Sequence, residues 1–208
     1  MKMVKVSDLL LELERCLLES KNPILDYLEN NDAFGKNLFD KNHFLMVIEN
    51  IGLEATSELI ELYEWKSGVN GQNLLSLNFD YRMCDMGSFI DWSSATSLYL
   101  LDKSTNKFFT KRFLPVIYNG IMEDPILIDL SKKSKTRGQL FYFSPNVTLS
   151  SKPVSIYDSL QTWIETMIES YDNNIYVVNE QGILEVTDKN KKLEITRRLN
   201  PNSQFWKW

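Results

Sequence analysis

The side chains able to do chemistry in this chain are mostly carboxylates. There is one histidine, His43, and there are two cysteines, Cys16 and Cys84. One histidine cannot build a multi-histidine metal site, and a general base needs a positioned partner. His43 follows Asp40 in a helical pattern and reads as a partly exposed helix residue. Cys16 falls on an apolar helix stripe and reads as core. Cys84 lies in an acidic segment, where negative charge raises a thiol pKa and blunts its nucleophilicity. No glycine-rich phosphate loop or dinucleotide fingerprint is present. Neither a metal nor a cofactor is expected. The carboxylates that stand out are Asp80, Asp85 and Asp91, close together in sequence, and Glu123, Asp124 and Asp129, which flank one apolar run. Two of them roughly 5–9.5 Å apart would suit a carboxylate-dependent hydrolase. Two other readings compete. One is a solvated acidic face. The other is an acidic patch that steers a basic protein partner. Tryptophan is enriched at binding hot spots. Trp92 lies beside Asp91, and Trp65 falls off the Leu59/Leu62/Tyr63 face of its helix. The candidate partner-binding residues are therefore Trp65, Asp80, Asp85, Asp91, Trp92, Glu123, Asp124 and Asp129.

The elements that must position these residues centre on 112–146. Three short apolar runs lie there: Phe113–Tyr118, Ile126–Leu130 and Leu140–Phe143. Each is rich in β-branched or aromatic residues and bounded by turn chemistry, at Asn119-Gly120, Asp124-Pro125 and Gly138. They read as strands. In the second, Ile126, Ile128 and Leu130 share one face, with Leu127 and Asp129 on the other. An apolar sheet face must be covered. Helices are expected over Ser7–Ser20, with Ser7 as cap, over Pro23–Glu29, from Asp40 to Asn50, over Thr56–Ser67 with Gly68 as stop, and over Asp91–Leu101. Ser155–Asp158 has capping-box form, and Ile156 to Tyr171 then carry a helical apolar stripe. Asn30–Asn37 reads as loop and Leu74–Phe79 as strand. The tail reads as short strands, Ile175–Val178, Ile183–Val186 and Leu193–Thr196, ending in Phe205-Trp206-Lys207-Trp208, which is expected to pack back on the sheet.

Composition is that of an ordinary globular protein, 43% hydrophobic and 25% charged over 208 residues. That length predicts one domain, 1–208. Met1–Leu18 carries Asp8, Glu12, Glu14 and Arg15, so no continuous signal-peptide core is read there, and no run approaches a membrane span. With few cysteines, a cytoplasmic location is expected. Net charge is −5, split as −8 over residues 1–100 and +3 over 101–208. The acidic half argues against nucleic acid as partner and for a protein one.

Three segments also carry a family pattern. Glu58–Gly68 contains a helix with Tyr63 ahead of a short spacer and a glycine. Leu114-Pro115 is followed by the Asn119-Gly120 turn, a strand ending in Asp129-Leu130, and Gly138-Gln139-Leu140. Ser155–Ile168 opens with serine and a bulky apolar residue. In this order they resemble the SUKH superfamily of fungal Smi/Knr cell-wall-synthesis regulators and bacterial toxin-immunity proteins. The match spans most of 40–172, leaving 1–38 as an N-terminal helical extension and 175–208 as a β tail. The resemblance implies an α+β fold, with a mostly antiparallel central sheet flanked by N-terminal helices and one long C-terminal helix. It implies a non-enzymatic protein-binding role, as an immunity protein that occludes a toxin's active site. A regulatory scaffold for a host protein or peptide is the alternative, and a hydrolase the third reading.

Overall fold

The computed structural model describes residues 5–28, 39–70, 81–105, 112–118 and 124–207, without the side chains of 102–105. The expected loop at 30–37, strand at 74–79 and turn at 119–120 lie outside them. The architecture is α+β, as expected. A five-stranded, wholly antiparallel sheet runs in order β1-β2-β3-β4-β5, with β1 Ser88–Phe89, β2 Phe113–Tyr118, β3 Ile126–Asp129, β4 Leu140–Tyr142 and β5 Val154–Tyr157. A separate hairpin pairs β6 Tyr176–Val178 with β7 Leu184–Val186.

The strand alternation in the sequence becomes the two faces of this sheet. Leu114, Val116, Ile126, Ile128, Leu140, Tyr142 and Ile156 join the main core. Phe113, Leu127, Phe141 and Phe143 form a second, small cluster on the other side. Every β2, β3 and β4 residue is buried, so both faces are covered. Short central strands of this kind are continuous apolar runs because neither side meets water.

The N-terminal helices are α1 Val6–Glu19, α2 Ile24–Tyr27, α3 Lys41–Asn50 and α4 Ser57–Trp65. Two caps form where the sequence places them. Asp40 accepts from the His43 N–H at 3.0 Å, and Thr56 from the Leu59 N–H at 3.3 Å. Ser7 does not cap α1. That helix starts one residue earlier, and the Ser7 N–H donates to Glu61 of α4 at 2.8 Å. Nor does Gly68 end α4. The helix stops at Trp65, and Gly68 (φ +97°) lets the chain pass the 90–91 backbone, where a Cβ would stand 2.6 Å from the Ile90 carbonyl. Helix α5, Trp92–Thr105, packs on β2 and opens at Asp91, which accepts from the Ser94 N–H at 2.9 Å.

Two expectations fail in the C-terminal third. Residues 155–157 are not helical: Ser155 and Tyr157 pair with Phe141 and Leu140 in β5. Cross-strand pairing of the β-branched Val154 and Ile156 segment wins over a helix start. After α6 (Pro145–Thr148) and β5, helix α7 runs from Leu160 to Asp172. Its capping box is Ser159 with Thr162, one turn beyond the expected one. The tail is not all β. Its first two strands are β6 and β7, but Lys189–Leu199 form helix α8, capped by Asp188. Lys192, Ile195, Thr196 and Leu199 line its inward side at helical spacing. A buried lysine among them hides the stripe from a reading by hydrophobicity. The terminal Phe205–Lys207 turn packs back as expected, with the Trp206 ring N–H donating to the Ile156 carbonyl at 2.7 Å.

Helix α7 is the hub of the helical layer. It packs against α1, α4 and α8, and Trp163, Ile164 and Met167 are buried against the sheet.

Candidate functional site

Of the expected partner-binding residues, Asp80 and Glu123 lie outside the described residues. The other six are placed by different elements, and most are used internally.

Asp129 closes β3 and is fully buried. Its carboxylate accepts from Ser134 Oγ and Thr136 Oγ1, each at 2.6 Å, and from the Ser131 N–H at 3.1 Å. The Arg112 guanidinium stands 3.0 Å away and stacks over Phe113. The basic loop at 132–137 is thus folded around an internal anion.

Asp85 ties the segment before β1 to the C-terminal elements. It accepts from the Tyr176 hydroxyl at 2.5 Å and pairs with Lys192 of α8 at 2.9 Å. The Lys192 side chain is 5% exposed, and its ammonium lies 4.0 Å from the centre of the Trp206 ring. Burial together with the Asp85 charge holds the Tyr176 hydroxyl well above its ordinary range. The neighbouring Cys84 thiol is pushed up to about 12 by burial first and Asp85 second. This is a largely buried polar cluster with Asp85 at its partly open edge, and its tyrosine and cysteine stay protonated.

Asp91 is the α5 cap. Asp124 has a long 3.5 Å contact with the Tyr142 hydroxyl. Trp92 packs edge-on against His43 and Phe44, so the lone histidine is an aromatic neighbour there. Trp65 is half-buried; it stacks on Phe89 and donates to Glu14 of α1 at 2.8 Å. Glu14 also receives Lys66 at 2.9 Å. Burial tends to raise the Glu14 carboxyl, but the hydrogen bonds from Lys66 and Trp65 outweigh it and hold that group below its ordinary value.

Trp65 leads to the surface that the sequence reading missed. Helix α1 buries Leu10, Leu13, Cys16 and Leu17 between α4 and α7. Leu11 and Leu18 are left over, one heptad apart and so on one face, 64% and 62% exposed. Carboxylates surround them. α1 carries four with one guanidinium; of the three on α4, Glu61 binds the Ser7 N–H at the seam, Glu64 pairs with Lys41 and Glu58 turns to the start of α7. Glu14, Trp65 and Glu61 mark the seam with α4. On the other flank, Arg15 binds Glu12 at 2.7 Å, Glu19 at 2.5 Å and Asp172 of α7 at 2.8 Å. The signal was present in the sequence, as two leucines outside the buried stripe of an otherwise amphipathic helix.

Glu12, Cys16 and Asp172 bring one oxygen or sulfur each within 4.8 Å of one another. The Arg15 guanidinium already neutralises both carboxylates, so a metal ion would have to displace a charge-assisted fork. Burial pushes the Cys16 thiol up to about 11, with Asp172 adding to the shift.

Comparison with known proteins finds no family that matches this chain and no curated protein that matches it. Among the described residues, no helix is long and apolar enough to cross a membrane.

Proposed function

We propose that this chain is a non-enzymatic protein-binding domain of the immunity type, which neutralises a basic toxin domain by covering its active site. The reading rests on the residues 58–68, 114–140 and 155–168 that resemble the SUKH superfamily. One structural observation supports it most: Leu11 and Leu18 stand in water on α1, a helix with four carboxylates and one guanidinium that packs beside acidic α4. Apolar anchors at the centre of a charged rim are what a protein interface needs. The anchors supply affinity on desolvation, and the rim speeds encounter with a partner of opposite sign. In this reading the partner meets the N-terminal helices rather than Asp85, Asp91 and Asp124.

The test is co-expression with the product of the neighbouring open reading frame, followed by calorimetry. A one-to-one complex and loss of the neighbour's toxicity are expected. The double change Leu11→Ser/Leu18→Ser then weakens binding by about 100-fold, since fully burying a leucine is worth about 1.5–3 kcal/mol. It leaves the melting temperature in place, because neither side chain is packed. Affinity also falls as salt rises. A complex indifferent to both leucines and to salt would remove this surface from the proposal. No complex and no toxicity would move the reading to a regulatory scaffold, for which a pull-down from host lysate is the next step.

A further inference from the structure

A second exposed apolar surface lies at the opposite pole of the charge distribution. Helix α6 ends at Leu149, in the left-handed region with φ +52°. Only glycine, asparagine and aspartate adopt this conformation cheaply. Packing does not compensate here, because the Leu149 side chain is 90% exposed and Val147 beside it 58% exposed. A turn that holds a leucine out in water against its own backbone preference has a site hypothesis attached to it.

That turn forms one wall of an apolar cleft of about 710 Å³. Val154, Leu193, Phe205 and Trp206 complete the lining. The floor is preformed. Trp206 is fixed by its hydrogen bond to the Ile156 carbonyl and by the Lys192 ammonium over its ring. Phe205 sits edge-on to Trp206 and to Tyr142, with ring centres 4.8 and 5.2 Å away. The Gln204 N–H donates to the Ser155 carbonyl at 3.0 Å, which pins the turn to the outer edge of β5.

The setting of the cleft is basic in an acidic protein. Residues 189–207 hold six lysines and arginines against one carboxylate, Glu194, while the whole chain carries −5. Lys192 is consumed by Asp85, and Arg198 by Glu169. Lys189, Lys191 and Lys207 remain exposed, as does Lys152 two residues before Val154.

We propose that this cleft is a docking site for an acidic, aliphatic segment of another protein. Two or three leucine, isoleucine or phenylalanine side chains would enter between Leu149 and Trp206, and flanking aspartates or glutamates would meet the lysines. The concave shape and rigid floor suit inserted side chains. The charge complement selects an acidic peptide over a basic one. This site is separate from the α1 stripe, and either can fail alone.

The test is selection of a phage-displayed random dodecapeptide library on the purified full chain, with the Leu149→Gly variant as counter-target. The enriched sequences are expected to combine aliphatic residues with Asp or Glu. A fluorescein-labelled winner should bind at least about tenfold more weakly to Leu149→Gly and to Lys152→Glu/Lys207→Glu, and more weakly as salt rises. The glycine fits the left-handed turn, so the variant should melt no lower than the parent. Leu11→Ser/Leu18→Ser should leave the peptide affinity unchanged. No enrichment, basic winners, or equal binding to Leu149→Gly overturns the proposal. So does self-association of the chain at tens of micromolar that Leu149→Gly abolishes, which would make a second copy the occupant. Flotation with phosphatidylserine vesicles that depends on Leu149 would likewise overturn it in favour of a lipid surface.

Discussion

The carboxylates of the 81–137 region and those of α1 and α4 belong to the same acidic chain, yet they do opposite things. Around the sheet, Asp85, Asp91 and Asp129 are turned inward and consumed by bonds. On α1 and α4, Glu12, Glu19, Glu61 and Glu64 stay at the surface around two bare leucines. The difference lies in which cation or donor reaches each group. Asp129 is met by a loop folded around it, and Asp85 by a lysine from a helix about a hundred residues away in sequence. Glu12 and Glu19 pair with Arg15 and Glu64 with Lys41, in exposed pairs worth little to stability, and Glu61 accepts the Ser7 N–H. A carboxylate's sign in the sequence therefore says little about its job. Its distance from an internal donor decides.

The comparison breaks most sharply at Asp129. Asp129→Ala removes the acceptor for two hydroxyls and a backbone N–H and takes the carboxylate away from Arg112, which keeps its Thr136 contact. Each buried donor left without its acceptor costs about 1–3 kcal/mol, so chemical denaturation should show a loss of about 3–5 kcal/mol in all. A loss below about 1 kcal/mol would mean that the loop re-forms around water. Next comes Asp85→Asn, at about 3 kcal/mol, because it strands the Lys192 ammonium in the interior. Asp91→Asn is its control. Asparagine caps a helix as well as aspartate does, so that change should be nearly silent, although both aspartates were expected at one binding surface. Equal losses at Asp85 and Asp91 would sink the distinction drawn between them.

What could be read from the chain alone follows from the range of the interactions. Strands β2, β3 and β4 were legible because β-branched runs between turn residues are local signals. The faces of β3 were legible too: Ile126 and Ile128 meet the main core, and Leu127 the second cluster. The α3 and α4 caps were legible for the same reason. The C-terminal helix start was not, because strand partners 14 and 17 residues upstream captured Ser155 and Tyr157. Helix α8 was misread because Lys192 counts as polar until Asp85 is known to lie opposite. Of the six expected partner-binding residues that the structure describes, Trp65 borders the α1–α4 surface. Nothing local marks Asp85 or Asp129 as internal, since their donors lie in Tyr176, Lys192, Ser134 and Thr136. The cleft at Leu149 is assembled from three separate stretches of chain, so no window of sequence contains it.

Glu58 stands between the two regions and gives the smallest effect. It belongs to acidic α4, but it faces the start of α7, where the backbone N–H groups of Gln161 and Leu160 act on its carboxyl. Its Oε2 is buried without a hydrogen-bond partner among the described residues. Burial raises its carboxyl above the ordinary value. The two N–H groups draw it back, and Glu61 and Glu165 push it up again. A folded-state pKa above the unfolded one means that the native state binds more protons between the two values, so stability falls as pH rises through that window. At neutral pH the charged Glu58 is thus a cost. Glu58→Gln keeps an oxygen acceptor for the helix N-terminus and removes the charge. The variant should melt slightly higher than the parent at pH 7, and the gap should close as pH falls below the ordinary glutamate value of 4.5, where both side chains are neutral. Melting curves from pH 4 to pH 8 read this directly. A parent that is the more stable of the two at pH 7, by a margin that grows with pH, would reverse the sign. The α7 N-terminus would then hold Glu58 as an internal anion, and Glu58 would join Asp85 and Asp129 on the inward-facing side of the comparison.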